Sequence, residues 1–464
     1  MANGRDDTPQ SGRHHSRRSL ANQERLLALG DAVDDKGGAK RRRRKSRGPH
    51  RIGRRVAIGA AVVILLIVAI GGGSYLYANW RFDKIQRVNV AGEVKPISGQ
   101  PFNILMIGSD SRAGLTGLAY RQTGANSGTV TGQRSDVVKI IHVDPGAGTI
   151  NMISIPRDTV VSLLANQSLY GNFNRINVNF GNGPSLLAQT ITANFGIPIN
   201  QTIVVSFAGM INVADALGGV YLDFRYPSWD PYSGLRILHP GCQLVTGFQA
   251  LALTRSRHFY YNTDHATKFP PTSWGSSSYG ADELYNAGWQ YDPTSDFGRI
   301  DRQDAFLRAM VDRGKKLYNP LTINTFLSKL PQGIILDQNF SLNELIGLAV
   351  RFHGINANSI QTWTLPTYAA TSATLGDVLY VQEPETQQML VDIFGSQLDT
   401  PSNPPPNEEG QTPLPPVVTT TTSTTTTTTP STTGTHKKTT TTTAAANPTL
   451  TGVPNYDPVP CTPS

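Results

Sequence analysis

The run from Val56 to Trp80 carries no charged side chain. At about 1.5 Å of rise per residue, roughly 20 helical residues cross a hydrocarbon core about 30 Å thick. This run is therefore expected to form a transmembrane helix, with Tyr75, Tyr77 and Trp80 where an interfacial aromatic belt would sit. The sequence has no second run of this kind, which excludes a polytopic membrane protein. A cleaved secretory signal is the competing reading. Against it stand the 55 residues that precede the run and the lack of an A-x-A site after it.

The chain carries 41 Lys+Arg against 33 Asp+Glu, a net charge of +8. Residues 1–55 hold 16 of the basic and 6 of the acidic side chains, leaving 25 and 27 for residues 56–464. The excess is thus wholly N-terminal and densest at Arg41–Lys45 (RRRRK), just ahead of the apolar run. Such a flank stays in the cytoplasm against lipid headgroups, which puts everything after Trp80 on the extracytoplasmic side. Nucleic acid is not expected as a partner, because residues 1–50 show no helix-turn-helix patterning. Their high polarity predicts disorder over 1–55.

The other end changes composition again. Residues 401–416 are rich in Pro, and Thr419–Thr443 contains 18 Thr. Such a segment buries too little apolar area to offset its chain entropy, so 401–464 reads as a disordered tail and a candidate for O-glycosylation. Cys461 lies near its end, and the only other cysteine is Cys242. On the extracytoplasmic side a disulfide between them would persist and tie the tail down; two free or separately capped thiols are the alternative.

Between the tails, after a linker over 81–100, residues 101–400 read as one domain. Strands are expected at Phe102–Ile107, Val137–Val143, Ile150–Ile155 and Ile203–Phe207. The turn Asp144-Pro-Gly-Ala-Gly148 predicts an antiparallel hairpin of the second and third. Helices are expected at Pro184–Phe195, Ala208–Leu217, Thr246–Thr254, Arg299–Leu317 and Pro384–Phe394. Another opens on the capping box Ser341-Leu-Asn-Glu344. Strands alternating with helices imply an α/β or α+β sandwich around one mixed sheet.

Charged residues are sparse, yet Asp and Arg cluster beside the strands. Gly108-Ser-Asp-Ser-Arg112 follows the first strand, Gln133-Arg-Ser-Asp136 precedes the second, and Pro156-Arg-Asp158 follows the third. The hairpin brings residues 136 and 157 to one end of the sheet. If the first strand ends there too, Asp110 and Arg112 join Asp136, Arg134 and Arg157 at one mouth. Farther on come Arg255 and Arg257, then Asp296-Phe-Gly-Arg-Ile-Asp-Arg-Gln303. Helical spacing puts Arg299, Arg302 and Gln303 on a common face, with Asp296 at the helix start. Carboxylates hold hard divalent cations, and arginine forks match phosphate oxygens. Together they suggest metal-assisted phosphoryl chemistry. Each pair taken alone is more often a structural salt bridge, and it is three such pairs at one sheet edge that favour a site.

Other chemistries find no support: the sequence has no P-loop, H-E-x-x-H, G-x-S-x-G or dinucleotide fingerprint. His258 follows Arg257 and stands either at the mouth or in an ordinary loop. Residues 259–291 hold nine aromatics and read as a surface insertion or lid.

The motifs NILMIGSDSR, QRSDVVKIIHV, ISIPRD, RINVNFG, DALGGVYLDF, GFQALALTRSR and DFGRIDRQ occur here in the order seen in the LytR–CpsA–Psr family. Over about residues 100–315 the chain resembles that family closely. The resemblance implies an α/β/α sandwich with a mixed central sheet and a long apolar cleft for a lipid. It implies a Mg²⁺-assisted (or Mn²⁺-assisted) phosphotransferase that moves a glycopolymer, with its linking phosphate, from a polyprenyl pyrophosphate carrier to peptidoglycan. Cation-coordinating roles then fall on Asp110 and Asp136. Pyrophosphate-binding roles fall on Arg112, Arg134, Arg157, Arg255, Arg257, Arg299 and Gln303, with Asp296 and Arg302 in the same constellation. Asp110, Asp136 and Arg257 are the residues expected to be catalytic, and Val204, Phe207, Met210 and Leu217 are candidates for the lipid pocket.

Two departures stand out. Arg175-Ile-Asn177 replaces the family's Lys-Ile-Asn, and the 258–295 insertion separates TRSR from DFGRIDRQ. The composition and the Thr-rich tail suggest an actinobacterial source. A hydrolase of polyprenyl pyrophosphates and a membrane-bound regulator of envelope genes are the alternatives, the second opposed by the topology.

Overall fold

The computed structural model describes residues 50–123, 134–270, 281–315, 320–351, 359–406 and 454–463. The expectations for residues 1–49 and for the Thr-rich run lie outside the described residues. The chain divides into two units, Met1–Gly73 and Ser74–Ser464. The first contributes most of helix α1 (His50–Phe82), whose stretch from Gly59 onward is long and apolar enough to cross a membrane. The helix starts earlier and ends later than the 56–80 run, because Arg and His at either end are compatible with helical backbone.

The second unit is built on a seven-stranded sheet. Its strands in chain order are β1 (Gln86–Val88), β2 (Phe102–Ser109), β3 (Ser135–Asp144), β4 (Thr149–Ser154), β5 (Gln201–Val205), β8 (Ile334–Asp337) and β9 (Gln361–Thr364). Across the sheet they run β1-β8-β5-β2-β3-β4-β9. The pairs β2/β3, β3/β4 and β5/β8 are antiparallel, while β1/β8, β2/β5 and β4/β9 are parallel, so the sheet is mixed. The β3–β4 hairpin forms as the Pro-Gly turn requires. The segment 81–100 is more than a linker, since it supplies the edge strand β1.

Period-two alternation gives the sheet two apolar faces. Leu105, Ile107, Val138, Ile140, Ile153 and Val204 point to one side. There they pack under α2 (Pro184–Phe195) and α8 (Glu385–Phe394), through Leu187, Ile191, Leu390 and Phe394. Pro184 at the first turn and Gly196 beyond the last delimit α2. Gly196 adopts φ +70°, and a Cβ there would fall 1.9 Å from the Asp399 carbonyl oxygen, so both conformation and space demand glycine. Ile104, Ile203, Ile334 and Leu336 point to the other side. That side is covered by α3 (Phe207–Ala216), α6 (Pro320–Lys329) and α7 (Leu342–Arg351), with Phe82 and Ile85. The capping box at α7 forms: Ser341 Oγ accepts from the Glu344 N–H at 3.2 Å, and Glu344 Oε2 accepts from the Ser341 N–H at 2.8 Å. The result is a three-layer α/β/α sandwich.

A smaller three-stranded sheet stands beside it. Here β6 (Val220–Phe224) pairs antiparallel with β7 (Gly241–Val245) and with β10 (Val459–Pro460). Strand β10 corrects the expectation of a disordered tail from 401 to the end, because residues 454–463 fold onto the domain. Cys461 is disulfide-bonded to Cys242, Cα to Cα 6.0 Å. Burial adds to this anchorage: Asp457 is 4% exposed, and the Tyr456 ring stacks on Tyr261 with centroids 4.2 Å apart. The cysteine pairing shows that a covalent tie and local packing hold the segment together.

A cross-link over 219 residues of chain restricts the unfolded ensemble, which chain-entropy arithmetic values at about 5 kcal/mol. The Cys242→Ser/Cys461→Ser protein should therefore melt at a markedly lower temperature than the oxidised wild type. Calorimetry with and without reductant checks this, and reductant should not alter the variant.

Candidate active site: an apolar cavity with an arginine mouth

The expected charged clusters meet at one end of the central sheet. Strand β2 finishes, β3 starts and β4 finishes there, because both neighbouring pairs are antiparallel. Register shifts between Gly108 and Ser109 at the end of β2. A Cβ on Gly108 would sit 2.7 Å from that of Val137, so the bulge depends on glycine. Beyond it Asp110 turns back on β3: Arg134 N–H donates to Asp110 Oδ1 at 2.9 Å, and Asp110 N–H donates to the Arg134 carbonyl at 3.1 Å.

Two helix ends complete the mouth. Helix α4 (Gly247–Arg255) delivers Arg255 and Arg257 from its C-terminus. Helix α5 (Asp296–Gly314) delivers Asp296 and Arg299 from its first turn. An aspartate at a helix N-terminus is favoured by the aligned peptide dipoles. The groups interlock. Arg157 bonds Asp136 at 2.8 Å and contacts Asp158 at 3.3 Å and Asp296 at 3.7 Å. Arg257 forks onto both carboxylate oxygens of Asp296. Arg299 donates to the Asp136 carbonyl at 3.2 Å and lies 3.4 Å from Asp296.

Burial and charge act against each other here. Burial pushes the Asp296 carboxyl up, but Arg299, Arg257 and Arg157 outweigh it and hold the group below the usual range. Burial pushes the Asp110 carboxyl up, and the nearby Asp136 charge adds to it against the Arg134 backbone bond. Two half-buried carboxylates that repel each other suit a divalent cation, which would use oxygens of the substrate and water for its remaining ligands. Among the described residues no group of three or more His, Cys, Asp or Glu could hold a metal ion. Burial lowers Arg299 to about 10, leaving it charged at neutral pH, and it also lowers Arg255. Three buried guanidinium nitrogens at or beside the mouth, Arg112 Nε, Arg255 Nη1 and Arg299 Nε, have no hydrogen-bond partner. An unpaired buried donor costs about 1–3 kcal/mol, and an oxyanion would satisfy it.

The mouth opens into a cavity of about 450 Å³ between the sheet and its second helical layer. Arg157, Arg255, Arg257, Arg299, Gln303 and Asp136 line the charged end. Most of the rest is apolar, with Met106, Ile203 and Val205 from the sheet and Phe207, Met210, Phe306 and Met310 from the helices. Phe207 and Met210 thus line the cavity as expected. Val204 faces the opposite core, and Leu217 is packed in the core rather than in the lining.

Arg302 does not join the mouth. It is fully buried, donating to Asp292 at 2.9 Å, to Asp457 at 2.6 Å and to the Ser256 carbonyl at 3.0 Å. Helical spacing put residues 299, 302 and 303 on one face, but a face over 100° wide serves two neighbours, and Arg302 points to the docked C-terminal segment. Arg175 ties Asp158, at 3.4 Å, to the carbonyl of Asp377, at 2.9 Å. Lys139 escaped the sequence reading, and Asp158 was read only as a member of the Pro156-Arg-Asp158 cluster, with no role of its own. Lys139, on β3, lines the cavity, is 1% exposed and bonds Asp304 and Ser154, each at 2.5 Å. A lone lysine inside an apolar strand was the available signal. Asp158 links Arg157, Arg175 and Arg257.

A mixed sheet with an apolar cavity under an arginine mouth defines the class of site. Residues 76–266 and 280–392 match the LytR_cpsA_psr family, and the chain belongs to that family. It is similar to the probable cell wall biosynthesis protein LcpB of Corynebacterium glutamicum, 31% identical over 38% of this chain and 41% of that protein. It is also similar to the polyisoprenyl-teichoic acid–peptidoglycan teichoic acid transferase TagV of Bacillus subtilis, 26% identical over 67% of this chain and 70% of that protein. Among solved structures it matches a LytR-Csp2A-Psr enzyme from Actinomyces oris, with 20% identity, coverage of 69% and 97%, and a TM-score of 0.49.

Removing the buried Arg302 strands two buried carboxylates, a loss of about 3–5 kcal/mol. Arg302→Ala should unfold at much lower urea than wild type. Arg112→Ala, which removes an unsatisfied donor, should unfold at nearly the wild-type midpoint. Equilibrium urea titrations of the two variants check the contrast.

Proposed function

We propose that this chain is a membrane-anchored phosphotransferase that moves a glycopolymer, with its linking phosphate, from a polyprenyl pyrophosphate carrier to peptidoglycan. One observation carries the reading: the apolar cavity is continuous with a mouth holding unpaired buried guanidinium donors. A ligand that satisfies both ends has a long hydrocarbon part joined directly to a multiply charged anion. The relative TagV, named for transfer of teichoic acid from a polyisoprenyl carrier to peptidoglycan, supports the same chemistry.

In this reading the prenyl chain fills the cavity against Met106, Phe207, Met210 and Phe306. Arg112, Arg255 and Arg299 receive the pyrophosphate oxygens with the donors that have no partner in the protein. Arg157 and Arg257 are held in place by Asp136, Asp158 and Asp296, and so present a fixed positive surface rather than mobile side chains. Preorganised donors of this kind favour the charge that develops on the leaving polyprenyl phosphate as an acceptor hydroxyl attacks the phosphorus nearer the glycan. Asp110 and Asp136 would hold Mg²⁺ or Mn²⁺, which when bound neutralises phosphate charge. Arg134 borders that pair, and Gln303, whose side chain donates to the Thr254 carbonyl at 3.0 Å, closes the inner wall.

Helix α1 anchors the enzyme, with the basic N-terminal segment in the cytoplasm and the catalytic unit outside. The carrier is itself a membrane lipid, so an anchored enzyme meets it in two dimensions. No nucleic acid takes part.

Asp136→Ala and Arg257→Ala should each lower transfer of a lipid-linked glycan to peptidoglycan oligomers by about 100-fold or more while the proteins stay folded. A transfer assay with product analysis, backed by circular dichroism, checks this. Full activity in both variants would contradict the site. Release of free phosphorylated glycan at the same rate with and without peptidoglycan would favour hydrolysis instead.

A further inference from the structure

Next to Arg257 in the chain, His258 stands together with two tyrosine rings. Tyr232 is 60% exposed and Tyr291 is 42% exposed. Between them the exposed His258 ring lies 4.6 Å from the Tyr232 centroid and 6.3 Å from that of Tyr291. The planes are inclined by 50° and 32°, so the three faces make a curved wall rather than a flat stack. A Tyr260–Tyr291 contact at 5.2 Å supports it from behind.

The wall is built, not incidental. Asp230 is 1% exposed and spends its carboxylate on the backbone beneath the rings. Its Oδ1 accepts from the N–H groups of Tyr232 at 2.8 Å and Ser233 at 3.0 Å. Its Oδ2 accepts from Ser256 Oγ at 2.7 Å and from the His258 N–H at 3.1 Å. One buried carboxylate therefore fixes the turn that carries Tyr232 and the segment that carries Arg257 and His258. The strand carrying Tyr291, Trp289–Tyr291, pairs with Tyr260–Asn262, which pairs in turn with Ser228–Asp230. The aromatic-rich insertion supplies the strands Tyr260–Asn262 and Trp289–Tyr291 of this small sheet. The sheet has its own core in Trp229, Leu284 and Trp289, and Tyr232 and Tyr291 are exposed at its edge.

We propose that Tyr232, His258 and Tyr291 form a stacking wall for the sugar rings attached to the pyrophosphate. The inference rests on the function proposed above. Pyranose rings present apolar C–H faces edged by hydroxyls, and tyrosine and histidine offer ring faces with a polar tip. The lipid half of the substrate is directed inward by the apolar cavity, and the pyrophosphate is held at its mouth. The next group along the substrate therefore lies outside the mouth, and His258 directly follows Arg257, one of the mouth's arginines. An exposed aromatic patch at such a position marks a binding surface.

The test compares two probes, geranylgeranyl pyrophosphate and the same pyrophosphate carrying an N-acetylhexosamine disaccharide, by titration calorimetry on the intact protein in detergent. Wild type should bind the glycosylated probe about tenfold more tightly, two ring contacts being worth that much. Tyr232→Ala/Tyr291→Ala should lose the advantage and bind the bare probe as wild type does. Tyr232→Phe/Tyr291→Phe should retain most of it. Equal affinity of wild type for the two probes, or an advantage that survives in the alanine variant, overturns the stacking wall. Failure of wild type to bind the bare pyrophosphate is the separate mark that the underlying functional reading is wrong.

Discussion

Arginines gathered at the edge of an apolar cavity repel one another and have lost much of their water, and a set of aspartates is what makes the gathering tolerable. Asp136, Asp158 and Asp296 each engage one or more of Arg157, Arg175, Arg257 and Arg299. The compensation is incomplete. Among the described residues, Arg112, Arg134 and Arg255 add positive charge and Asp110 adds a further carboxylate, so seven arginines face four aspartates there. That excess matches a pyrophosphate diester in sign and approximate size. The rest of the domain serves to hold this arrangement: the antiparallel order of β2, β3 and β4 brings three clusters to one sheet edge, and the facing ends of α4 and α5 bring the remainder.

Much of this was legible in the sequence because it depends on local rules. The Asp144–Gly148 turn set the β3–β4 hairpin, and the hairpin alone placed residues 136 and 157 together. Pro184, Gly196 and the Ser341/Glu344 box marked helix ends by capping chemistry. What escaped depends on which neighbour a side chain meets. Arg302 shares the helical spacing of Arg299 and Gln303 but meets Asp292 and Asp457, and Asp457 lies 155 residues away. Lys139 looks like an interruption in an apolar strand until Asp304 appears opposite it. The curved wall of Tyr232, His258 and Tyr291 needed Asp230 as its organiser, and no spacing rule links position 230 to 258.

The C-terminal segment shows how composition can mislead. A Pro- and Thr-rich stretch reads as tail to its last residue, yet residues 454–463 add a strand to β6, a stacked tyrosine, a buried aspartate and a disulfide. Asp457 reaches Arg302 on the helix whose first turn carries Arg299. The segment thus buttresses the helix that supplies part of the mouth.

The central claim is that one site binds a charged head and a hydrocarbon tail together. Titration calorimetry with inorganic pyrophosphate, geranylgeranyl monophosphate and geranylgeranyl pyrophosphate separates the two contributions. The account predicts that the prenyl pyrophosphate binds at least about tenfold more tightly than either partial ligand, since each half adds at least about 1.4 kcal/mol. Equal affinity for geranylgeranyl pyrophosphate and inorganic pyrophosphate would show that the cavity does not receive the lipid, and would contradict the account.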